Sequence, residues 1–298
     1  MNHSDRTRAY LLLGLASLIW ASNAVAGRFA AQHIGPATLT LFRWTVASLV
    51  ILPFAYQGLK SDWPVLRRRL RYVAGMGIAG FAGFNLALYT ALNYTTAIFA
   101  TIAQAAIPMM VMMAGLIVLR ERLTAAQIVG FFLTLGGIVL TVSEGQVLQV
   151  VQQTLGKGEW WMLLATILYA VYSYFLRYRP EVHWLSLIAS MVFAANLFAL
   201  PFGAWEIAAQ GWPALSTEVV FLVAYTAIMA SLVSQSAYAA GVAIIGPSRA
   251  SLFINAVPVF GAILAMLILG EVYRWYHAAG LLLVMSGIAL AERSRARD

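Results

Sequence analysis

The sequence predicts an all-α membrane protein of ten transmembrane helices, arranged as two inverted five-helix repeats with both termini in the cytoplasm. Apolar and aromatic residues make up 62% of the 298 residues, and charged residues make up 10%. Soluble domains have about 45–50% and about 25% respectively. With a mean hydropathy of +0.81, the chain is not expected to be a soluble enzyme. Ten apolar stretches and an internal repeat then predict the architecture.

Each apolar stretch is long enough to cross a bilayer, because a spanning helix needs roughly 20 mostly apolar residues. The stretches are 9–30, 36–56, 72–92, 95–119, 124–143, 158–176, 183–204, 218–242, 248–270 and 275–291. The longest segments between them are Gln57–Arg71, Glu144–Lys157 and Trp205–Thr217. None of these segments is long enough for a soluble domain.

Basic residues predict the orientation, because Lys and Arg concentrate in short cytoplasmic loops. One side of the predicted membrane carries Arg6, Arg8, Lys60, Arg67, Arg68, Arg69, Arg71, Arg120, Arg122, Arg177, Arg179, Arg249, Arg293, Arg295 and Arg297. The other side carries Arg28, Lys157 and Arg274. We therefore expect both termini in the cytoplasm of a protein of the cell inner membrane. The formal charge of +8 then reflects topology and not nucleic-acid binding.

The second half of the chain repeats the first. A shift of 150 residues aligns Pro108 with Pro258, Glu121 with Glu271, Gly130 with Gly280, Gly137 with Gly287 and Leu140 with Leu290. We expect a first repeat at 1–143, an external linker at 144–157 and a second repeat at 158–298. Because five spans is an odd number, the second repeat must enter the membrane inverted. Inverted repeats with a site at their interface are typical of secondary transporters.

Several of these residues also carry a family resemblance. The stretch Ile19-Trp20-Ala21-Ser22-Asn23, followed by Phe42-Arg43, Pro108, Glu121 and Gly130, resembles the EamA-type repeat of the drug/metabolite transporter superfamily, and Pro258, Glu271 and Gly280 repeat its last part. The resemblance covers essentially the whole chain. By general similarity it is strongest to the YddG-type exporters of aromatic amino acids. It implies export of amino acids, preferably aromatic ones, by alternating access.

The second half departs from the first at two places. It has Tyr169-Ala170-Val171-Tyr172 where the first half has Trp-Ala-Ser-Asn, and it has Met191 near the place of Arg43. We therefore expect the two halves to contribute unequally to the site.

Arg43 is the one clearly ionisable residue within a predicted span. It lies seven residues after Pro36, about 10 Å below the external surface at a rise of about 1.5 Å per residue. A charged group at this depth is a functional hypothesis, here an anchor for a substrate carboxylate or an external gate. The alternative is an arginine that snorkels outward or binds backbone carbonyls. An anchor facing a cavity would favour anionic or zwitterionic substrates.

Uncharged polar side chains lie at mid-span depth and could read the amino and carboxylate groups of a substrate. They are Ser22, Asn23, Asn85, Gln104, Gln235 and Asn255. The alternative is that they join helices to one another, contributing about 1 kcal/mol or less each. We expect several of them to line a cavity.

Aromatic side chains lie around the same level, and a flat ligand could stack against them. They are Trp20, Tyr89, Tyr94, Tyr169, Tyr172 and Tyr238. Trp20 and Tyr169 are repeat partners, as are Tyr89 and Tyr238, so two symmetric pairs are expected. Ordinary packing is the alternative for each residue taken singly.

Two prolines and two glutamates occupy equivalent places in the repeats. Pro108 and Pro258 each remove a backbone hydrogen bond in mid-span, which predicts either hinges for alternating access or static kinks. Glu121 and Glu271 follow their spans directly. We expect them to stabilise the start of the next helix instead of carrying protons, because acidic groups suit exposed helix N–H groups.

The sequence has no cysteine, no metal-binding spacing of its four histidines and no Walker A motif. No Asp or Glu lies in the middle of a predicted span. We therefore expect no enzyme activity, no cofactor and no metal, with a small-molecule substrate and the lipid bilayer as partners; a monomer is compatible with the sequence. The alternative function is export of another small metabolite, such as a different amino acid, a purine or a drug-like compound, with or without proton coupling. A channel stays a further alternative.

Overall fold

The computed structural model describes residues 3–119, 124–146, 156–245, 250 and 253–295. Its α-helices are α1 (His3–Ala30), α2 (Pro36–Leu66), α3 (Leu70–Gly77), α4 (Phe84–Ala91), α5 (Ala97–Gln104), α6 (Ile107–Leu119), α7 (Ala125–Val142), α8 (Lys157–Phe175), α9 (Trp184–Gln210), α10 (Thr217–Ala224), α11 (Ser234–Ile245), α12 (Val257–Leu269) and α13 (Trp275–Arg295). Two π-helical segments, Ile78–Gly83 and Tyr225–Val233, join α3 to α4 and α10 to α11. Helix lies on each of the ten predicted stretches.

Within the described ranges, five helical segments are long and apolar enough to cross a membrane. They are Asp5–Ala30, Pro36–Ala91, Ala125–Val142, Trp184–Gln210 and Thr217–Ile245. Shorter apolar helices cover Ala97–Met113, Val257–Leu269 and Trp275–Ala291. The all-helical membrane class is therefore confirmed. The count of ten spans and the cytoplasmic position of the termini stay predictions.

Two helices extend into segments that the sequence predicts as connections. Helix α2 continues from the predicted end at residue 56 to Leu66, and α9 continues from residue 204 to Gln210. Polar residues do not stop a helix by themselves, so an apolar stretch gives only the part that lies in lipid. Helix α9 ends where Gly211 adopts a positive φ of 86°, a conformation that glycine adopts without a steric penalty.

Helices α7 and α13 cross at glycines that the repeat makes equivalent. A β-carbon built on Gly130 would lie 2.5 Å from the carbonyl oxygen of Gly287, and one built on Gly137 would lie 2.5 Å from that of Gly280. The first glycine of one helix thus meets the second of the other, so the two helices run antiparallel. Small residues allow this close approach of two backbones.

Helices α2 and α9, which are also repeat partners, pair in the same way. Leu41 packs against Gly203, and further along the pair the Thr45 hydroxyl donates to the Asn196 side-chain oxygen at 2.9 Å. Residue numbers rise along one helix as they fall along the other, so this pair is antiparallel too. Equivalent helices of the two repeats are thus related in the way expected of inverted repeats.

Helices α5 and α6 are separated by a turn at residues 105–106, and a second turn at residues 255–256 precedes α12. Pro108 and Pro258 lie in the first turn of α6 and α12, two residues after these turns. Proline has no N–H to donate to the carbonyl four residues earlier, so continuous helical bonding is interrupted, and each proline instead lies in the first turn of the following helix, where that N–H is not needed. Gly261 contacts Thr101 across the two interrupted helices, which brings the breaks close together.

Candidate functional site

A cavity of about 360 Å³ lies between the two repeats. Its lining comprises Trp20, Asn23, Arg43, Trp44, Gly80, Phe81, Phe84, Asn85, Gln104, Ala105, Ile107, Pro108, Val111, Tyr169, Ser173, Ala230, Ser231, Gln235, Ile254, Asn255, Val257 and Pro258. Both helix breaks and both π-helical segments contribute to this lining. Irregular backbone at membrane depth is tolerated where it lines a cavity, so these interruptions are concentrated where the fold can accommodate them.

Arg43 lines the cavity and is only 4% exposed. Its Nε donates to the Ser231 hydroxyl at 2.8 Å. Its Nη1 donates to the side-chain oxygens of Asn23 and Asn85, both at 2.9 Å, and to the Tyr89 hydroxyl. The guanidinium therefore points inward and is held by side chains from three helical segments, which excludes the alternative of a snorkelling arginine.

The groups around the guanidinium are themselves held in place. The Tyr89 hydroxyl donates to the Asn23 side-chain oxygen at 3.0 Å, and the Asn85 side-chain amide donates to the Phe81 carbonyl at 2.6 Å. Both amides therefore present their oxygens to Arg43. A charged donor that binds several neutral acceptors is fixed in position, although none of these acceptors neutralises its charge.

The second π-helical segment, Tyr225–Val233, supplies two of the groups that face Arg43. The Ser231 hydroxyl donates at 2.9 Å to the carbonyl of Thr226, five residues earlier, which is the spacing that a π-helical turn provides. The Ala230 carbonyl lies 3.3 Å from Nη2 of Arg43. The wider π-helical turn thus directs both the Ser231 side chain and the Ala230 carbonyl toward the guanidinium.

Aromatic rings form the wall beside Arg43. The Trp44 and Phe81 rings stack with centroids 5.0 Å apart and an interplanar angle of 7°, and the Arg43 guanidinium carbon lies 5.1 Å from the Trp44 ring centroid. The Phe84 and Tyr169 rings are tilted at 54° with centroids 4.9 Å apart. Flat apolar faces and a single charge therefore occupy the same cavity.

The amide side chains of the cavity differ in their freedom to bind a ligand. Asn23 and Asn85 are engaged by Arg43, and the Gln104 amide donates to the Ala100 carbonyl of its own helix at 3.1 Å. Gln235 and Asn255 line the cavity and make no side-chain hydrogen bond to any residue within the described ranges. These two amides are the ones available to a polar ligand group.

Five residues predicted for the site do not line the cavity: Ser22, Tyr89, Tyr94, Tyr172 and Tyr238. The Ser22 hydroxyl bonds to the Tyr225 hydroxyl and the Ile19 carbonyl, and Tyr89 is buried behind Arg43. Tyr172 packs on the Tyr169 ring at 5.4 Å.

Tyr238 packs on the Trp20 ring with centroids 5.1 Å apart. Tyr94 is 57% exposed and lies away from the cavity. Of the two expected symmetric pairs, Trp20 and Tyr169 both line the cavity, whereas Tyr89 and Tyr238 do not. Tyr89 bonds to Arg43, and its repeat partner Tyr238 packs on Trp20 instead.

Several residues that line the cavity were not predicted from the sequence. Trp44, Phe81, Phe84 and Ser231 all line the cavity beside the predicted residues. Trp44 directly follows Arg43, and this adjacency was the available signal. Phe81 and Ser231 lie in the π-helical segments, whose extra residue per turn changes the face on which a side chain falls and which apolar periodicity does not reveal.

Two carboxylates stabilise helix starts outside the cavity. Glu271 accepts hydrogen bonds from the backbone N–H groups of Ala97 at 2.7 Å and Ile98 at 3.0 Å. The expectation was that it stabilises the next helix in sequence; instead it stabilises the start of α5, which belongs to the stretch 95–119, the repeat partner of the stretch that Glu271 follows. Glu121 lies outside the described residues.

Glu206, which the sequence analysis placed in a connecting segment, is buried in α9. Its Oε2 accepts from both the backbone N–H and the hydroxyl of Thr38, each at 2.7 Å. At the opposite end of the α2–α9 pair, Asp62 of α2 accepts at 3.0 Å from the backbone N–H of His183, directly before α9. The pair therefore has a carboxylate at each end, and the one at Glu206 is buried.

Among the residues that the structure describes, no group of three or more His, Cys, Asp or Glu could hold a metal ion. The chemistry of the cavity comes from one guanidinium, neutral amides and hydroxyls, and aromatic faces. This set can bind and orient a small molecule that carries both an anionic group and a flat apolar group.

Comparisons with known proteins agree with this architecture. The EamA-like transporter family matches residues 7–143 and again residues 156–292. The chain is 23% identical to the uncharacterized transporter YyaM of Bacillus subtilis, covering 94% of this chain and 92% of that protein. It is 25% identical to an uncharacterized transporter of Archaeoglobus fulgidus, covering 95% and 97%.

It is also 22% identical to the uncharacterized inner membrane transporter YicL of Salmonella typhimurium, covering 95% of each chain. A solved structure shares the fold with a TM-score of 0.63 and 18% identity over 98% of both chains. These similarities indicate a multi-pass protein of the cell inner membrane.

Proposed function

Because the chain belongs to the EamA-like transporter family, as a transporter with two EamA domains, we propose that it is a secondary carrier that exports amino acids, preferably aromatic ones, across the inner membrane by alternating access. Its two repeats form ten spans with cytoplasmic termini, and Pro108 and Pro258 act as hinges. The proposal makes the cavity between the repeats the substrate site.

The observation that carries the substrate proposal is the presence of Arg43 and the aromatic wall in one cavity. A carboxylate at the guanidinium gains a charge-assisted hydrogen bond, which is roughly twice as strong as a neutral one. An aromatic side chain extending toward Tyr169 and Phe84 gains about 0.5–1.5 kcal/mol per ring contact beyond its burial. An amino acid with an aromatic side chain carries both of these groups.

Gln235 and Asn255 complete the site for a zwitterion. Their side-chain oxygens can accept hydrogen bonds from an ammonium group, and neither is used by another described residue. Neutral acceptors suit this task, because a fixed carboxylate in the cavity would have to be desolvated each time the substrate leaves.

The interrupted helices support the alternating-access part of the proposal. The breaks before α6 and α12 occupy equivalent places in the two repeats and line the cavity. A break removes continuous helical hydrogen bonding, so each half-helix can tilt without stretching the other. Antiparallel repeats make the inward-open and outward-open arrangements similar in energy, and no Asp or Glu among the described residues lines the cavity to couple transport to protons. We propose a facilitator driven by the gradient of its substrate.

The experiment is uptake of labelled amino acids into liposomes that contain the purified protein, with no imposed ion gradient. We expect saturable uptake of tryptophan, phenylalanine and tyrosine, each competed by the others and accelerated by substrate on the opposite side. Uptake without this acceleration would indicate a channel. If aromatic amino acids fail and another metabolite passes, the substrate proposal is wrong while the carrier function stands.

A further inference from the structure

Arg43 carries a positive charge that no described residue neutralises. Its hydrogen-bond partners Asn23, Asn85, Tyr89 and Ser231 are all neutral, and the remaining one is a backbone carbonyl. No carboxylate among the described residues lines the cavity. The guanidinium is thus solvated by neutral dipoles alone.

An isolated buried charge is strongly unfavourable, and most buried ionisable groups respond by becoming neutral. Arginine cannot respond in this way, because its guanidinium is not deprotonated in proteins. The usual solution is a buried partner of opposite charge, and no described residue supplies one. The remaining solution is an anion from outside the protein.

The geometry leaves one edge of the guanidinium for such an anion. Nε and Nη1 are engaged at 2.8–2.9 Å, whereas the one bond of Nη2 to a described residue is the longer contact with the Ala230 carbonyl, at 3.3 Å. Nη2 has two N–H groups, so at least one of them bonds to no described residue. The adjoining cavity of about 360 Å³ has room for a halide or a carboxylate beside it.

We propose that Arg43 forms a permanent anion site: a small inorganic monoanion such as chloride occupies it in the empty carrier, and the carboxylate of the substrate displaces that ion. The shared chemistry is a single negative charge that accepts hydrogen bonds from Nη2. The displacement step rests on the proposed function, whereas the inorganic anion site does not.

The test is the thermal unfolding of the purified full-length protein in detergent, titrated with sodium chloride or sodium acetate in a low-salt buffer. We expect each salt to raise the Tm of the wild type saturably by about 2–4 °C, because a ligand that binds only the folded state stabilises it. Arg43→Gln removes the charge and should abolish the rise.

Arg28→Gln is the matched control. Arg28 is another helical arginine, but it donates to the Leu92 carbonyl at 2.6 Å and lies outside the cavity. Its chloride-dependent rise in Tm should equal that of the wild type. Arg43→Lys keeps a charge without the planar fork and should need several-fold more chloride for half of the effect. This variant keeps the test decisive if Arg43→Gln does not fold.

The outcomes separate the two proposals. A rise in Tm that persists unchanged in Arg43→Gln, or no rise in the wild type, would overturn the anion site. If phenylalanine also raises the Tm and the effects of chloride and phenylalanine are not additive, the displacement step is supported. If chloride binds through Arg43 and no aromatic amino acid competes, the anion site stands and the proposed substrate is wrong. Transport of phenylalanine with no binding of chloride or acetate would give the reverse result.

Discussion

The two repeats place different side chains at equivalent positions near one cavity. In the first repeat, Arg43 and Asn23 form a polar cluster, and the corresponding positions in the second repeat hold Met191 and Tyr172. Met191 is buried on α9, and Tyr172 packs among rings. A fold that is nearly symmetric in its backbone is therefore asymmetric in the groups that a ligand meets.

This asymmetry of side chains explains how a symmetric fold can bind an asymmetric molecule. Two guanidiniums at equivalent places would repel each other in a cavity of low dielectric constant. One guanidinium facing an aromatic wall instead gives a ligand a single preferred orientation. In the proposed carrier, the backbone symmetry would keep the two access states similar in energy, and the side-chain asymmetry would set the preferred substrate.

The strongest effect on transport is expected when the charge of Arg43 is removed. Arg43→Gln should lower kcat/KM for amino acid uptake by about 100-fold or more, since a buried charge pair is worth about 3–5 kcal/mol when one partner is lost. Met191→Leu, at the corresponding position, conserves volume and should leave uptake within about twofold of the wild type. Equal losses in the two variants would contradict the asymmetry; liposome uptake measures both.

The second effect concerns the hydroxyl that holds the guanidinium. Tyr89→Phe removes a hydrogen bond to a charged group, worth about 1.5–3 kcal/mol, and should raise KM about tenfold or more. Its repeat partner gives the control, because the Tyr238 hydroxyl bonds to no described residue. Tyr238→Phe should leave KM unchanged, and a comparable rise in both would mean that Arg43 is not the reason.

A smaller effect is expected from the aromatic wall. Tyr169→Leu should lower the preference for phenylalanine over leucine, as a ratio of kcat/KM values, by about two- to tenfold, because one ring contact is lost. Tyr94→Leu makes the same change away from the cavity and should keep the ratio. If Tyr169→Leu slows both substrates equally, its ring supports the fold and does not contact the substrate.

The smallest effect on transport is expected where the repeats are truly equivalent. Gly137→Ala places a methyl group against the Gly280 carbonyl oxygen and should destabilise the protein by about 1–3 kcal/mol with no change in substrate preference. Gly136→Ala, one residue earlier, meets nothing within 4 Å and should not destabilise it. Thermal unfolding of the two variants measures the difference, and equal Tm values would mean that α7 and α13 do not cross at this glycine.

Much of the fold could be predicted because lipid imposes a simple rule on composition. The stretch 124–143 is realised as α7 at Ala125–Val142, and 158–176 as α8 at Lys157–Phe175. Helix ends beyond the apolar region were missed, as at Gln210, because backbone bonding and caps decide them locally. The burial of Glu206 was missed for a different reason, because its partner Thr38 lies 168 positions away in the sequence.

The site was predictable where chemistry alone marked a residue. Arg43 stood out because a charge in an apolar span is expensive, whatever the fold around it. Tyr89 and Gln235 could not be told apart in this way, since a polar or aromatic side chain is equally at home behind a wall, as Tyr89 is, or on it, as Gln235 is.

The membrane class, the twofold repeat and the single charge within the predicted spans follow from the sequence, because composition and periodicity are properties of the chain alone. Which side chains contact each other depends on the tertiary structure. The antiparallel pairing of equivalent helices brings Ser231 to Arg43 across 188 positions of sequence, and the π-helical turn sets the face on which Ser231 lies. Contacts of this kind depend on the position and rotation of whole helices, which packing fixes and local sequence does not.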